Sequence, residues 1–239
     1  IPTAPITIII NTIIITAKVV KVKMNNSKIN KRICLVGAGR WGANHLKTLY
    51  KLNSLAGIVD SSETLKVEIN KTYPHIPFFN NLEQSYNEDF DGYVIATPAD
   101  THYNLAKKII ERGYDVLVEK PFTLNYDDAK KLHNLSIKNK VRIKVGHVML
   151  FHPAIKKIKE IIDSEKIGTL QYIYSNRLNL GNIRKEENVF WSFAPHDISI
   201  LQYLIDDYPS NISSWGGSYI QEGIHDTTIT NLEYPNNIK

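Results

Sequence analysis

From Lys31 onward, short apolar runs alternate with stretches whose apolar positions recur every three to four residues. The runs Ile33–Val36, Leu55–Val59, Gly92–Ala96, Val116–Val118 and Val141–Val145 are brief, continuous and rich in β-branched side chains. Strands covered on both faces read this way, whereas a strand with one wet face alternates apolar and polar positions. Between them the helical period recurs at Trp41–Leu52, Ser62–Lys71, Tyr103–Arg112 and Tyr126–Asn139. Strand and helix in turn predict α/β architecture: a doubly wound parallel sheet with helices on both faces.

The texture changes after Gly146. Pro153–Ile162 sets Ile155, Ile158, Ile161 and Ile162 on one helical face. Leu170–Leu178 carries tyrosines at alternating positions and predicts a long strand. Pro195–Leu204 predicts a helix opened by a proline at its first position, with Asp197 near the positive end of the dipole. Asn211–Ile220 and Asp226–Leu232 predict two more strands joined by a Gly-containing turn. The order is α+β, so a domain boundary falls near residue 146, with residues 24–146 before it and 147–239 after.

Residues 1–23 stand apart. They are rich in Ile and Thr, and Pro2, Pro5, Asn11 and the threonines interrupt the apolar stretch short of a spanning length. The basic start of a signal peptide is missing. With Met24 as the natural start, this segment reads as an extension outside the fold, β-branched and without an acidic residue, and so an aggregation hazard.

Composition narrows the function classes. The 239 residues can bury a full core, and 43% hydrophobic with 22% charged residues describes an ordinary soluble chain. The net charge of +5 comes from 29 basic against 24 acidic side chains spread without a long basic block, which argues against a nucleic-acid partner. The single cysteine, Cys34, lies within an apolar run, as a buried inert thiol in a reducing cytoplasm would. His147, His152 and His225 lack metal-ligand spacing, and there is no Ser or Cys nucleophile signature.

Chemistry enters at Gly37-Ala38-Gly39-Arg40-Trp41-Gly42, between a predicted strand and a predicted helix. In a dinucleotide site Gly37 would make the tight turn, Gly39 would let the backbone approach the pyrophosphate at the helix N-terminus, and Gly42 would let that helix pack on the sheet. Arg40 and Trp41 ride on the same loop. Asp60 ends the second run, where a carboxylate accepts hydrogen bonds from ribose hydroxyls and repels a 2′-phosphate, favouring NAD over NADP. Three glycines also make ordinary turns, and Asp60 could instead cap the helix near Ser62.

Ala96-Thr97-Pro98 with His102, Glu119-Lys120-Pro121, and the stretch from Gly37 to His45 together resemble the Gfo/Idh/MocA oxidoreductases, the glucose-fructose oxidoreductase and inositol dehydrogenase family. The resemblance implies a Rossmann domain followed by an α+β domain on a mostly antiparallel sheet, here truncated at its C-terminus. It implies a homo-oligomer for the full-length protein, a small-molecule substrate, and neither nucleic-acid nor membrane partners. Tyr174–Gly181, Trp191–Ile198, Val145-Gly146-His147 and Phe151-His152-Pro153 look most like the nucleotide-sugar dehydrogenases that oxidise C3 of a UDP-N-acetylhexosamine.

Within that frame Lys120 is the acid/base. It lies at a strand's carboxyl end, before a proline that holds it extended, and a cis Lys120–Pro121 bond is expected. Beside a cationic nicotinamide a lysine loses affinity for its proton and can accept that of a sugar hydroxyl. Glu119 would position it. His196 would polarise the substrate oxygen, although Ser192 stands where the family commonly carries an Asp, and Pro195 between them argues against one continuous helix. Thr97, Pro98 and His102 would flank the nicotinamide ribose. Asn176, Arg177 and Arg184 would grip a sugar diphosphate. The rival readings are a non-catalytic NAD- or nucleotide-binding sensor with the same fold, or an adaptor domain without a ligand.

Overall fold

A computed structural model describes residues 31–178, 187–235 and 238. The predicted extension at 1–23, Asn179–Gly181 and Arg184 lie outside the described residues. The described chain divides into two compact units, with the division between Gly146 and His147.

The first unit is built on β1 (Ile33–Val36), β2 (Leu55–Val59), β3 (Phe78–Phe79), β4 (Gly92–Ile95), β5 (Asp115–Val118) and β6 (Ile143–Val145). All pair in parallel, in the order β3-β2-β1-β4-β5-β6. The chain winds outward from β1 in one direction and then from β4 in the other, which leaves a crevice at the carboxyl ends of those two strands. The helices are α1 (Gly42–Lys51), α2 (Glu63–Thr72), the single turn α3 (Leu82–Ser85), α4 (His102–Glu111) and α5 (Tyr126–Asn139).

Successive residues of one strand feed opposite cores. Cys34 and Val36 of β1, with Tyr93 and Ile95 of β4, pack with Ala106, Ile109, Ile110 and Leu132 of α4 and α5. Leu35 and Val94 face the other way, with Leu46 of α1 and Ile69 of α2. This two-sided burial is why the strands read as continuous apolar runs. Burial also pushes the Cys34 thiol up and keeps it unreactive. β3 and α3 escaped the sequence pattern because two and four residues are too few to establish a period.

The second unit begins with a short 3-10 turn at Val148–Phe151 and α6 (Pro153–Asp163). Pro153 opens α6, and the His152 ring accepts from Ala154 N–H at 3.2 Å as its cap. α7 runs Val189–Ile205, and β7 (Asn211–Gly217) and β8 (Thr227–Glu233) form an antiparallel hairpin. Ile155, Ile200 and Leu204 are the buried centre, with Met149, Leu150, Ile158, Ile162, Ile173 and Tyr203 packed around them. Among the described residues no helix is long and apolar enough to cross a membrane.

Two expectations fail here. The α7 helix starts before Pro195, because the Asn188 side chain accepts from Trp191 N–H at 3.0 Å and nucleates a turn upstream. Pro195 then sits inside α7, and Ser192 and His196 are one turn apart on a single helix. Leu170–Leu178 is not a strand, having one isolated bridge at Tyr174. Alternating side chains supply two faces, but a strand also needs a ladder of backbone partners, which this segment lacks among the described residues.

Ile109 is fully buried between β4 and α5. Truncation in Ile109→Ala should cost about 2–5 kcal/mol, read as a lower midpoint of chemical denaturation.

Candidate cofactor and active site

The carboxyl ends of β1, β2, β4 and β5 bring together Gly37–Gly42, Asp60, Thr97-Pro98 and Glu119-Lys120. Gly37 has a φ of +89°, and a Cβ there would lie 2.7 Å from Thr97 Cγ2 and 2.9 Å from the Ala96 carbonyl. A Cβ on Gly42 would lie 2.0 Å from Gly37 O, so the first turn of α1 crosses directly over the strand exit. Gly39 differs, since nothing lies within 4 Å of its would-be Cβ and its φ is outside the left-handed region. Its hydrogen leaves the backbone open to solvent, while the other two are needed by the fold itself.

The start of α1 carries no side-chain cap and no acidic residue in its first turn, whereas Ser62, Asn81 and Asn125 cap α2, α3 and α5. An anion laid against the loop would meet amide groups and the positive end of the helix dipole. Asp60 stands beside it. One of its carboxylate oxygens accepts from Ala38 N–H at 2.8 Å and the other from Ser62 N–H at 2.9 Å. Ser62, not Asp60, caps α2, through an Oγ that accepts from Leu65 N–H. Asp60 therefore braces the glycine loop and retains lone pairs for hydroxyl donors. The open Gly39 backbone, the uncapped helix start and the braced carboxylate fit a dinucleotide such as NAD.

Thr97 Oγ1 lies 2.6 Å from Thr101 Oγ1, closing the turn after β4. His102 is 1% exposed, with Nδ1 2.8 Å from Pro121 O and Nε2 3.0 Å from Thr97 O. It ties the Thr97 turn to the Glu-Lys-Pro turn from beneath. The Lys120–Pro121 bond is cis.

Glu119 is the most enclosed acid of the crevice, at 4% exposed. His45 Nε2 lies 2.6 Å from its Oε1, and Lys120 N–H donates to Oε2 at 3.1 Å. The neighbouring Trp41 indole also lowers its pKa, and a Cβ on Gly146 would sit 2.9 Å from the carboxylate. Burial pushes this carboxyl up, but the bonds from His45, Trp41 and Lys120 outweigh it and hold the group below its ordinary 4.5. His45 had no role in the sequence reading. The available signal was its four-residue spacing from Trp41, which puts both on one helical face.

The other candidates belong to the second unit. The Arg177 guanidinium grips Asp197 with two bonds, of 2.8 and 3.0 Å, and Ser175 Oγ donates to the same carboxylate. The arginine proposed for a phosphate is thus already paired with a carboxylate on α7. Asn176 is half-buried next to it. Ser192 is buried and donates to Glu187 Oε1 at 2.8 Å, one turn before His196. Glu187 was also overlooked, because no local pattern marks it.

Comparison with known proteins places this geometry. A family model described as an oxidoreductase family with an NAD-binding Rossmann fold, GFO_IDH_MocA, matches residues 31–147. The chain is 28% identical over 194 residues to scyllo-inositol 2-dehydrogenase (NAD(+)) of Bacillus subtilis, covering 77% of this chain and 57% of that protein. The solved structure of UDP-N-acetylglucosamine 3-dehydrogenase from Acidithiobacillus ferrooxidans superposes with a TM-score of 0.77 at 23% identity, over 87% of this chain and 64% of that one. GenD2 from gentamicin A biosynthesis, in complex with NAD, gives 0.77 at 18% identity, over 86% and 63%. The chain spans just under three fifths of the first curated relatives it matches, 59% and 58% of their lengths.

The glycine geometry separates two substitutions. Gly42→Ala should destabilise the first unit by about 1–3 kcal/mol, while Gly39→Ala should stay within about 0.5 kcal/mol of the parent, both by chemical denaturation. Glu119 adds a pH dependence. Because its folded pKa is depressed, its contribution is fully present above the ordinary 4.5 and is lost as pH falls through the folded value. Stability measured against pH should therefore fall less steeply in that acidic window for Glu119→Gln than for the parent.

Proposed function

This chain belongs, through residues 31–147, to the Gfo/Idh/MocA oxidoreductase family with its NAD-binding Rossmann fold, and from that premise we propose that it oxidises a hydroxyl-bearing carbon of a sugar. Gly37, Gly39, Arg40, Trp41 and Gly42 hold the pyrophosphate side of NAD, and Asp60 takes the ribose hydroxyls. Thr97, Pro98 and the Glu119–Lys120 turn border the nicotinamide end, with His102 bracing them from below. Bound there, NAD supplies the hydride acceptor.

The chain's own part is proton handling and orientation. Lys120 takes the proton of the sugar hydroxyl as its carbon becomes a carbonyl. His196 is the second unit's candidate for polarising a substrate oxygen. Residues 24–146 act as the cofactor domain and residues 147–239 contribute to substrate binding. A nucleotide-linked sugar oxidised at C3 is favoured by the similarity to the UDP-N-acetylglucosamine enzyme. Asn176 and Arg177 then serve the sugar side, with Arg177 shared between the substrate and Asp197. The full-length protein works as a homo-oligomer, and the lone buried cysteine suits the cytoplasm. The observation that carries the reading is the convergence of the open Gly39 backbone, Asp60 and the Glu-Lys-Pro turn on one sheet edge.

A second reading, a sensor that binds NAD without turnover, is favoured by Ser192, whose hydroxyl is spent on Glu187. Mixing the chain with NAD and UDP-N-acetylglucosamine, UDP-N-acetylgalactosamine or an inositol while following reduced-cofactor absorbance separates the two. The expected result is turnover that Lys120→Met lowers by at least about 10²-fold with NAD binding retained. NAD binding without turnover on any of these substrates favours the sensor, and no NAD binding overturns both.

A further inference from the structure

The Glu119 carboxylate joins the start of α1 to the turn after β5. Trp41 is the residue just before α1, His45 lies on the first turn of α1, and Glu119, 74 residues beyond His45, follows β5 with Lys120 next to it. A charged oxygen pair enclosed to this degree needs strong donors, and each comes from a different part of the crevice. The Trp41 ring itself is half exposed. Gly146 lies against the carboxylate, and a Cβ there, 2.9 Å from Oε1, would make the Glu119 side chain shift. The Glu-Lys-Pro turn is thereby fastened on one flank through Glu119 to the loop and α1. On the other flank it is fastened through Pro121 O and His102 to the Thr97 turn.

We propose that Glu119, with His45, is a positioning pair that couples the glycine loop to Lys120, so that a dinucleotide seated on the loop also sets the place of the lysine. The inference rests on the cofactor reading above and deepens it, assigning to His45 a role beyond packing. Charge alone could be supplied by any acid nearby. The coupling requires this one, because the same carboxylate meets His45 at the start of α1, directly behind the glycine loop, and the amide of the lysine.

The test uses the full chain with Glu119→Gln, His45→Leu and His45→Gln, the last keeping a side-chain donor. Three quantities are measured: NAD affinity by calorimetry, the Trp41 indole N–H resonance assigned with Trp41→Phe, and acetylation of Lys120 by a water-soluble anhydride, quantified by mass spectrometry with and without NAD. In the parent, NAD should slow Lys120 acetylation. Glu119→Gln and His45→Leu should shift the Trp41 resonance, weaken NAD about tenfold, as ordinary site-to-site coupling allows, and remove that protection. His45→Gln should restore much of both. Variants that lose thermal stability yet keep parental NAD affinity and Lys120 protection would overturn the coupling and leave a structural clamp. If Glu119→Gln does not fold, the two His45 variants decide. A parent that binds no NAD defeats the cofactor reading and the coupling with it, whereas a binding parent with unaffected variants defeats the coupling alone.

Discussion

A carboxylate withdrawn from water must find donors or give up its charge, and the crevice of the first unit is arranged around that demand at Glu119. Its three partners arrive from the loop after β1, from α1 and from the turn after β5. Satisfying it fixes where α1 starts, and the approach of Gly42 to the Gly37 carbonyl leaves that helix no alternative path. Asp60 repeats the device on the other side, bracing Ala38 and Ser62 with one side chain. Polar groups at the sheet edge thus hold in place a loop that has few side chains of its own.

Much of the first unit was legible in the sequence because its strands are covered twice. Ile33–Val36 and Leu55–Val59 were read to the residue, since no polar position breaks the runs. Tyr126–Asn139 was read to the residue too, and in the structure Asn125 caps it. In the second unit local pattern misled. Pro195 looked like a helix start because proline favours that position, yet the Asn188 cap seven residues upstream decided the boundary. Leu170–Leu178 had strand-like alternation, but alternation reports side-chain faces, not backbone partners.

The site divides along similar lines. Glycines 37, 39 and 42 and Asp60 were legible as candidates because each stands at a fixed offset from a strand end, whereas Lys120 was marked mainly by the family resemblance of the Glu-Lys-Pro turn. The bond between His45 and Glu119 could not, since it spans 74 residues and no periodicity links them. Nor could the grip of Asp197 on Arg177, which changes that arginine from a waiting cation into one already committed. Long-range pairing of charges is a property of the fold, and motifs report only its endpoints.

β1 is four residues long, and its alternate side chains serve as wall to two separate cores. Close-packed interiors transmit strain rather than absorb it. A change of volume near Leu46 or near Ile110 therefore reaches the strand exit at residue 37 from opposite sides, with no softer material between. A substitution that changes volume in one core should therefore be felt at the glycine loop, and should be tolerated best when the other core is adjusted with it.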